Sequence, residues 1–572
     1  MSLAPELLSA LMINPSENEA DLPCKILCLG HYSGRKVTAL QPLTLDCAMP
    51  ERTLASLAIE IDFSPLFPDW QQPYTIQCLE DFNPDRLLIN IPALAQGIQL
   101  RDDWLFCDEL RRSEISEKVA QYLLNYQHEL ENVDDPESVG TYQEFLFADL
   151  EQLLCNLLDQ VLHYPPLQQL EACWRQLYAL AASSRHHKAS TVVILDCDRS
   201  LLEDELLGHG NLQDSNLFDH VYSHELGQYG GQPYTYIACD FALTRSEQDL
   251  DLLAKLALLG QAAHLPIGVP VQPHFLAVER YDQLLNENIS EWFTSPRLLK
   301  LRNLCQHSSS RYLFMLMPRM VLRSPYKGLY QHLNYQEKTD TSGHHLLWGY
   351  AIYSLAANIL NAFEQQKAFT LLTGSEWGQE RLCQPYIDPI DDIKIAPLEI
   401  DFPVSLIADL ADQGITVLSP LSEQKSHFFA QLNSLHTLAD SKDVSPDNQL
   451  PYLLTLSRIA HMLKMRVREQ IGSLDDPQAL KQKLERWLKA FVVDLEAPAQ
   501  EVMMKKPFRA VHVSFEEISQ QSPMQKIDAG PLVYAGQLRE MALSIQFVPH
   551  LRYLNQQFSL SLELMLKESD NG

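Results

Sequence analysis

His224-Glu225 and His128-Glu129 open like the metal-binding helix of a zinc protease, which needs a second histidine four residues after the first. Those positions hold Gln228 and Asn132, so neither pair completes a zinc face. Ser33 lies within Gly30-His31-Tyr32-Ser33-Gly34, at the fourth place of the five where a nucleophile elbow needs the third, and the run reads as a turn. His186-His187 and His344-His345 are adjacent pairs whose side chains diverge on either a helix or a strand, a poor geometry for chelation. The sequence holds no GxxxxGK[ST] run and no GxGxxG fingerprint. No cofactor or metal ligand set emerges.

The arginines are more informative. Trp174-Arg175, Arg311-Tyr312 and Pro318-Arg319 are flanked by aromatic residues or proline, the setting of structural ion pairs and interface anchors. Lys464, Arg466 and Arg468 form a basic group that reads as a solvated or ion-paired helix face. With 74 acidic and 44 basic side chains the formal net charge is −30, which opposes long-range attraction to nucleic acid or anionic lipid.

The elements that must position these residues follow from periodicity. A chain of 572 residues exceeds what one growing core accommodates, so more than one domain is expected. Cys24 to Leu29 reads as a strand, and Leu57 to Phe63 and Tyr74 to Cys78 alternate, predicting a small sheet covered on one face. From Ser113, the residues Ile115, Val119, Tyr122, Leu123, Tyr126 and Leu130 recur at helical spacing, and the acidic stretch 132–138 marks a boundary. Beyond it, Thr191 to Asp196 and Tyr234 to Cys239 read as buried strands. Gln248 to Ala263 and Leu450 to Ile471 read as amphipathic helices. The uncharged stretch Leu346 to Phe363 is long enough to span a bilayer, but Ser354, Asn358 and Asn361 favour a buried core helix.

Near the C-terminus, Met541, Leu543, Ile545 and Phe547 alternate, and after a turn Phe558, Leu560, Leu562 and Leu564 alternate again. This predicts a β-hairpin, which is marginal alone and must dock on its own domain or accept strands from another chain. The expected fold class is α/β (α+β): a small sheet domain fused to a larger mixed sheet-and-helix domain with a C-terminal β-hairpin. Eleven scattered cysteines suit reduced thiols, and the N-terminus lacks the pattern of a secretory signal, so a cytoplasmic protein is expected. The residues alone point to a large α/β interaction protein and not to an enzyme.

Beyond periodicity, the wording of the sequence resembles the large sheath subunit of bacterial type VI secretion systems (TssC, or VipB). Val161 to Leu177, VLHYPPLQQLEACWRQL, resembles that family's histidine-proline and LE-x-x-WR-x-L signature. The likeness continues in order through Glu225 to Tyr234, Cys239-Asp240-Phe241, Ala262 to Pro266, Arg311-Tyr312-Leu313, Met317-Pro318-Arg319 and Leu322 to Tyr326. Leu347-Trp348-Gly349, Ala396 to Ile400, Gly414 to Leu418, Leu450-Pro451-Tyr452, Ser457 to Lys464 and Val548-Pro549-His550 complete it. The preceding segment is similar to the small sheath subunit (TssB, or VipA): Asp21 to Arg35 resembles its opening strand and turn, and Leu79 to Asp85 followed by Ile91-Pro92 its ED-F-x-P-D motif.

The resemblance implies a structural, non-enzymatic subunit of a contractile sheath. Residues 1–112 would be the small-subunit-like domain, 113–140 a helical and acidic linker, and 141–572 the large-subunit-like domain. It implies self-assembly into a helical sheath or a discrete oligomer, with an Hcp-like inner-tube protein, baseplate components and a ClpV-like recycling ATPase as partners, and no nucleic acid or membrane insertion. Strand exchange between protomers would fall at Leu543, Ile545, Phe547, Phe558, Leu560 and Leu562. Trp174, Arg175, Arg311, Arg319, Arg323, Arg458 and His461 would be structural motif residues. The sequence departs from the family in its short, helix-like arm at Ala4 to Met12, in the joint 113–138, in Tyr350 and Ile352 where small residues are usual, and in Glu380 to Pro385 where a glycine-rich stretch is usual. These departures admit a second reading, a divergent component that caps, nucleates or docks on the apparatus without contracting.

Overall fold

The computed structural model describes residues 22–68, 70, 72–107, 109–126, 139–228, 230–339, 345–369, 372–373, 398–420, 427–429, 431–436, 448–470, 482, 485–493, 502, 506, 508–517, 538–549 and 560–569. From its start, β1 (Cys24–Gly30) and β2 (Pro42–Thr44) precede α1 (Pro50–Ser56), β3 (Ile59–Ile61) and β4 (Tyr74–Ile76). Five helices follow: α2 (Pro84–Asn90), α3 (Pro92–Phe106), α4 (Glu109–Tyr126), α5 (Val139–Leu162) and α6 (Pro165–Ser184). Strands and helices then alternate through β5 (Ser190–Asp196), α7 (Arg199–Leu207), β6 (Tyr236–Cys239), α8 (Glu247–Ala263) and β7 (Ile267–Pro270). Next come α9 (Ile289–Thr294), α10 (Leu299–Gln306), β8 (Leu313–Met317), β9 (Met320–Val321), β10 (Lys327–Tyr330), β11 (Leu333–Gln336) and β12 (Trp348–Gly349). After α11 (Ala351–Gln366), α12 (Val404–Asp412), β13 (Ile415–Pro420), β14 (His427–Phe429) and α13 (Leu450–Gln470) lie β15 (Phe508–Glu517), β16 (Leu538–Pro549) and β17 (Leu560–Ser569).

Eight strands form the main sheet in the order β14-β13-β8-β7-β6-β1-β5-β2. The six inner strands run parallel, and the two edge strands are antiparallel to their neighbours. Both faces are covered, as a parallel sheet requires. Alternate residues prove it: Ile26, Cys28, Val192, Ile194, Tyr236 and Ala238 enter one core with α3 to α6 and α11. Their neighbours Leu27, Leu29, Val193, Leu195, Ile237 and Cys239 enter a second core with α8, α10 and α12. A third, smaller core joins α13 to Phe508 and Val513 of β15 and to Leu22.

The small sheet expected of the first segment forms from β3 and β4, which pair antiparallel and are buried on one face, but the strand at Cys24 to Leu29 lies outside it. Cys24-Lys25-Ile26-Leu27-Cys28-Leu29-Gly30 pairs with Ser190–Asp196 on one side and Tyr236–Cys239 on the other, so β1 is interior to the main sheet. The reason lies in its composition, because a strand apolar at successive positions can be buried on both faces, whereas β3 and β4 alternate and pair only with each other.

The helices sit close to their expected bounds. Ser246 caps α8 by accepting from the Asp249 amide, and Leu252, Leu253, Leu256 and Leu259 are fully buried, each burial worth roughly 1.5–3 kcal/mol before entropy. The stretch Leu346 to Phe363 differs from expectation. It becomes helical only at Ala351, because Trp348 and Gly349 pair with Val321 and Met320. A Cβ on Gly349 would stand 2.5 Å from Leu322 Cδ2 and 2.8 Å from Gln176 Oε1, so any larger residue there would require these buried side chains to shift. The helix is buried in the first core, and among the described residues no helix is long and apolar enough to cross a membrane.

Candidate assembly site

The C-terminal hairpin is part of a three-stranded antiparallel sheet in the order β15-β16-β17. Leu543 falls opposite Phe515 and Leu564, Ile545 opposite Val513 and Leu562, and Phe547 opposite Val511 and Leu560. Five of the six residues expected at a strand-exchange site therefore lie at alternate positions of one ladder, and Phe558 lies outside the described residues. The sequence reading missed β15, although Val511, Val513 and Phe515 alternate with His512, Ser514 and Glu516. Its presence makes β16 the central strand. The outer edge of β15 is bridged at its start, where Val492 pairs with Phe508 and the Val493 amide donates to the Phe508 carbonyl at 2.9 Å. Among the described residues β17 pairs only with β16, leaving a ten-residue edge of backbone donors and acceptors.

The arginines build the frame beneath. Arg323, 4% exposed, donates from Nε to Glu171 Oε1 at 2.8 Å and from Nη1 to Glu337 Oε2 at 2.7 Å, and its guanidinium stacks 4.0 Å from the Tyr326 ring centroid. Arg175, one helical turn after Glu171, shares the same Oε1 at 2.8 Å and reaches the Tyr326 hydroxyl at 3.2 Å. Burial alone would raise the Glu337 carboxyl, but Arg323, His163 and the Tyr326 amide outweigh it and bring it down to about 2. The Tyr326 hydroxyl donates to Asn83 Oδ1 at 2.8 Å, the Gln331 amide to Asp85 Oδ1 at 3.0 Å, and Arg101 Nη2 to the His332 carbonyl at 2.8 Å. The β10–β11 hairpin thus locks the N-terminal segment to α5 and α6. Trp174, fully buried, donates from Nε1 to the Tyr32 carbonyl at 3.0 Å and makes a second such tie.

The remaining motif residues are spread over other junctions. Arg319 holds Glu399 through two bonds of 2.8 Å and lies over the Trp348 ring. Arg458 donates to the Leu22 carbonyl at 2.6 Å and stacks on Phe363, tying α13 to the chain entering β1. His461 Nε2 lies 2.7 Å from the Ala263 carbonyl at the end of α8, and burial drives its imidazole down to about 3, so it donates there as the neutral ring. Lys464 corrects the expectation of a solvated basic face: its ammonium packs against the Ala262 carbonyl and the Tyr222 ring, and burial lowers it to about 8. The side chains of Arg466 and Arg468 lie outside the description. Arg311 sits in the turn Ser308–Tyr312 before β8.

Glu171 and Glu337 were not singled out in the sequence. The spacing of Glu171 and Arg175, four apart on a helix, carried the signal for the first. Nothing local connects Arg323 with Glu337 until the hairpin between them closes.

Of the residues weighed for chemistry, His128, Glu129, Asn132 and His344 lie outside the described residues, while Glu225 and the cysteines of β1 sit in structural contacts. Glu225, within a π-helical turn Asp219–Gly227, pairs with Lys25 of β1 and accepts from the Gln232 amide at 2.9 Å. Cys24 and Cys28 are buried in β1, and burial raises Cys24 to about 12; the ten described cysteines are free thiols. Among the described residues no three metal-type ligands converge. A shallow cleft of about 420 Å³ is lined by Thr244, Arg245, Ser246, His274 and Glu279, while Glu337, lowered by Arg323, and His461, lowered by burial, lie in packed contacts elsewhere.

Two family descriptions match the chain. EvpB/VC_A0108, tail sheath N-terminal domain (VipB), covers residues 144–436, and EvpB/VC_A0108, tail sheath gpW/gp25-like domain, covers residues 439–566. The chain is also similar to the type VI secretion system sheath protein TssC1 of Pseudomonas aeruginosa, 28% identical over 396 residues that span 66% of this chain and 79% of that protein.

Proposed function

The chain belongs to the VipB tail sheath family as a structural subunit of the type VI secretion contractile sheath, and we propose that it forms a complete protomer alone. In this reading residues 1–112 stand in for the small sheath subunit, 113–140 are the joint, and 141–572 are the large subunit. The observation that carries it is the place of β1, an interior strand of the sheet built by the later residues. A segment in that position completes the fold of its own chain, and fusion fixes its stoichiometry and raises its effective concentration.

Protomers join by strands added to the C-terminal sheet, at the outer edge of β17, and stack into a tube through heterologous contacts that do not close. Backbone hydrogen bonds of this kind survive rigid-body rotation, which a contracting lattice requires. The partners are further copies of the chain, an Hcp-like inner-tube protein, baseplate components and a ClpV-like recycling ATPase, in the cytoplasm. The protein works by assembly and not by catalysis.

Proline in β16 would damage the sheet itself, so the probe belongs on β17. Adjacent amides of an edge strand alternate between the ladder and the outside, so of Ser561→Pro and Leu562→Pro one removes an inward donor and the other an outward one. Electron microscopy of the purified chain, alone and with inner-tube protein, should show tubes for the unsubstituted protein and none for the variant that keeps its own fold. Tubes from both variants would place strand addition elsewhere. Discrete particles from the unsubstituted protein under both conditions would favour the capping or docking component.

A further inference from the structure

Strand β10 has little of its own to hold it. In β11, Leu333 and Tyr335 are buried and the Tyr335 hydroxyl donates to Asp159 Oδ1 of α5 at 2.6 Å. β10 instead exposes Lys327 and Leu329 and only half-buries Gly328 and Tyr330, so it depends on the loop that returns it to β11. Tyr330 pairs with Leu333, which leaves Gln331-His332 alone as that loop, and both residues stand at positive φ, +48° and +62°. This is the type I′ pattern, which suits the twist of the strands but favours Asn-Gly, Asp-Gly or Gly-Gly, because a side chain in the left-handed region crowds the following carbonyl oxygen. The loop's own sequence therefore opposes the conformation it adopts.

The bonds that offset this come from the N-terminal segment. Asp85 Oδ1 accepts from the Gln331 amide at 3.0 Å and from Gln331 Nε2 at 3.3 Å, and Arg101 Nη2 donates to the His332 carbonyl at 2.8 Å. Arg101 is itself buried and fixed by Glu151 of α5 at 2.7 Å. Asp85 lies in the first turn of α2 and Arg101 in α3, both outside the ranges 144–436 and 439–566 that match the sheath family, whereas the hairpin lies inside the first.

We propose that the segment carrying α2 and α3 is an intramolecular template for this hairpin: Asp85 and Arg101 impose a turn that Gln331-His332 does not adopt unaided, so β10 closes on β11 only when the segment is docked. The effect reaches the buried ion pair, since Arg323 precedes β10 and Glu337 follows β11. In the closed hairpin the Glu337 amide donates to the Tyr326 carbonyl at 2.8 Å, and the Tyr326 amide donates to Glu337 Oε2 at 2.7 Å. A chain whose first segment is undocked thus loses the hairpin and the Arg323–Glu337 pair together, and docking in one part of the chain becomes order in another. The device belongs to the fold of one chain and operates whether or not copies assemble.

A cycle of full-length variants, followed by hydrogen exchange and mass spectrometry, tests it. Asp85→Ala should speed amide exchange across residues 326–337 about tenfold or more relative to α8, whose amides serve as the internal reference. Gln331→Asn with His332→Gly gives the loop a sequence that favours the turn, so adding Asp85→Ala to that pair should leave exchange in the hairpin slow. The rescue discriminates, because an Asp85 that merely added bonds to a relaxed turn would cost the same with either loop. Equal acceleration with both loops overturns the proposal, and so does unchanged exchange in Asp85→Ala. If Asp85→Ala loosens the whole chain and speeds α8 as well, the same loop change should slow both regions again; a loop change that restores neither is a refutation.

Discussion

Replacing Arg323 with methionine removes the cation that serves two buried carboxylates. Glu171 is fully buried, Glu337 is 3% exposed, and Arg323 makes three of their short bonds, at 2.8, 2.7 and 3.2 Å. In Arg323→Met, Glu171 keeps Arg175, but Glu337 is left with the Tyr326 amide at 2.7 Å and His163 at 3.4 Å. Removing one partner of a buried ion pair costs about 3–5 kcal/mol. A second route gives a similar size, since holding Glu337 at about 2 against 4.5 is worth roughly 3 kcal/mol. Over 572 residues unfolding in one transition, that is a fall in Tm of about 3 °C. Urea unfolding followed by tryptophan fluorescence at pH 7.5 should show the loss directly. The double variant Arg323→Met with Glu337→Leu, which removes the stranded charge, should recover about 2 kcal/mol or more of it. A loss under about 1 kcal/mol for the single variant, or no recovery in the double, would refute the account of a network held by its central cation.

Glu337 also sets a pH dependence: its folded value lies below its ordinary one, so its contribution is complete above about 4.5 and is lost as pH falls toward 2, a slope that Glu337→Gln should flatten in acid unfolding curves. Lys464 has the opposite sense. Its value is lowered from 10.5 to about 8, so the unfolded chain binds the extra proton between those limits and stability should rise with pH there, a rise that Lys464→Met should abolish in urea titrations. Gly414, at φ +79° with a Cβ position 2.4 Å from the Ser434 carbonyl oxygen, should tolerate no side chain, and Gly414→Ala should cost about 2–4 kcal/mol in thermal unfolding; an unchanged Tm would show that the turn before β13 can relax.

What the sequence made legible was local, and what it hid was pairing. α8 was readable from its cap and stripe, because Ser246 and four leucines at helical spacing leave few alternatives. β16 and β17 were readable from alternation over two runs separated by a turn. β1 was recognised as a strand but its sheet was not, since a largely apolar run specifies burial on both faces without naming its neighbours, here strands that begin at Ser190 and Tyr236. The break at Gly349 was invisible for the same reason: the backbone partner that keeps it extended is Met320, and apolar composition alone continues the helix pattern through it. Among the motif residues, Arg175 could be matched with Glu171 by spacing, whereas Arg458 and Leu22 meet only because α13 folds back over the start of β1.

The edges of the two larger sheets separate folding from assembly. The main sheet ends in β2 and β14, three residues each and antiparallel to their neighbours, and β2 begins with Pro42, which has no amide to donate. Such short, interrupted edges are poor templates for another chain. The C-terminal sheet ends in β17, ten residues long and paired on one side only among the described residues. If both sheets invited strands, a chain with a detachable central β1 would risk exchanging it with its neighbours during polymerisation. In the strand-addition reading proposed above, tying the ends of β1 in by Arg458 at Leu22 and Trp174 at Tyr32, with the open edge on a separate sheet, would let copies add to one another without competing for the strand that each needs to fold.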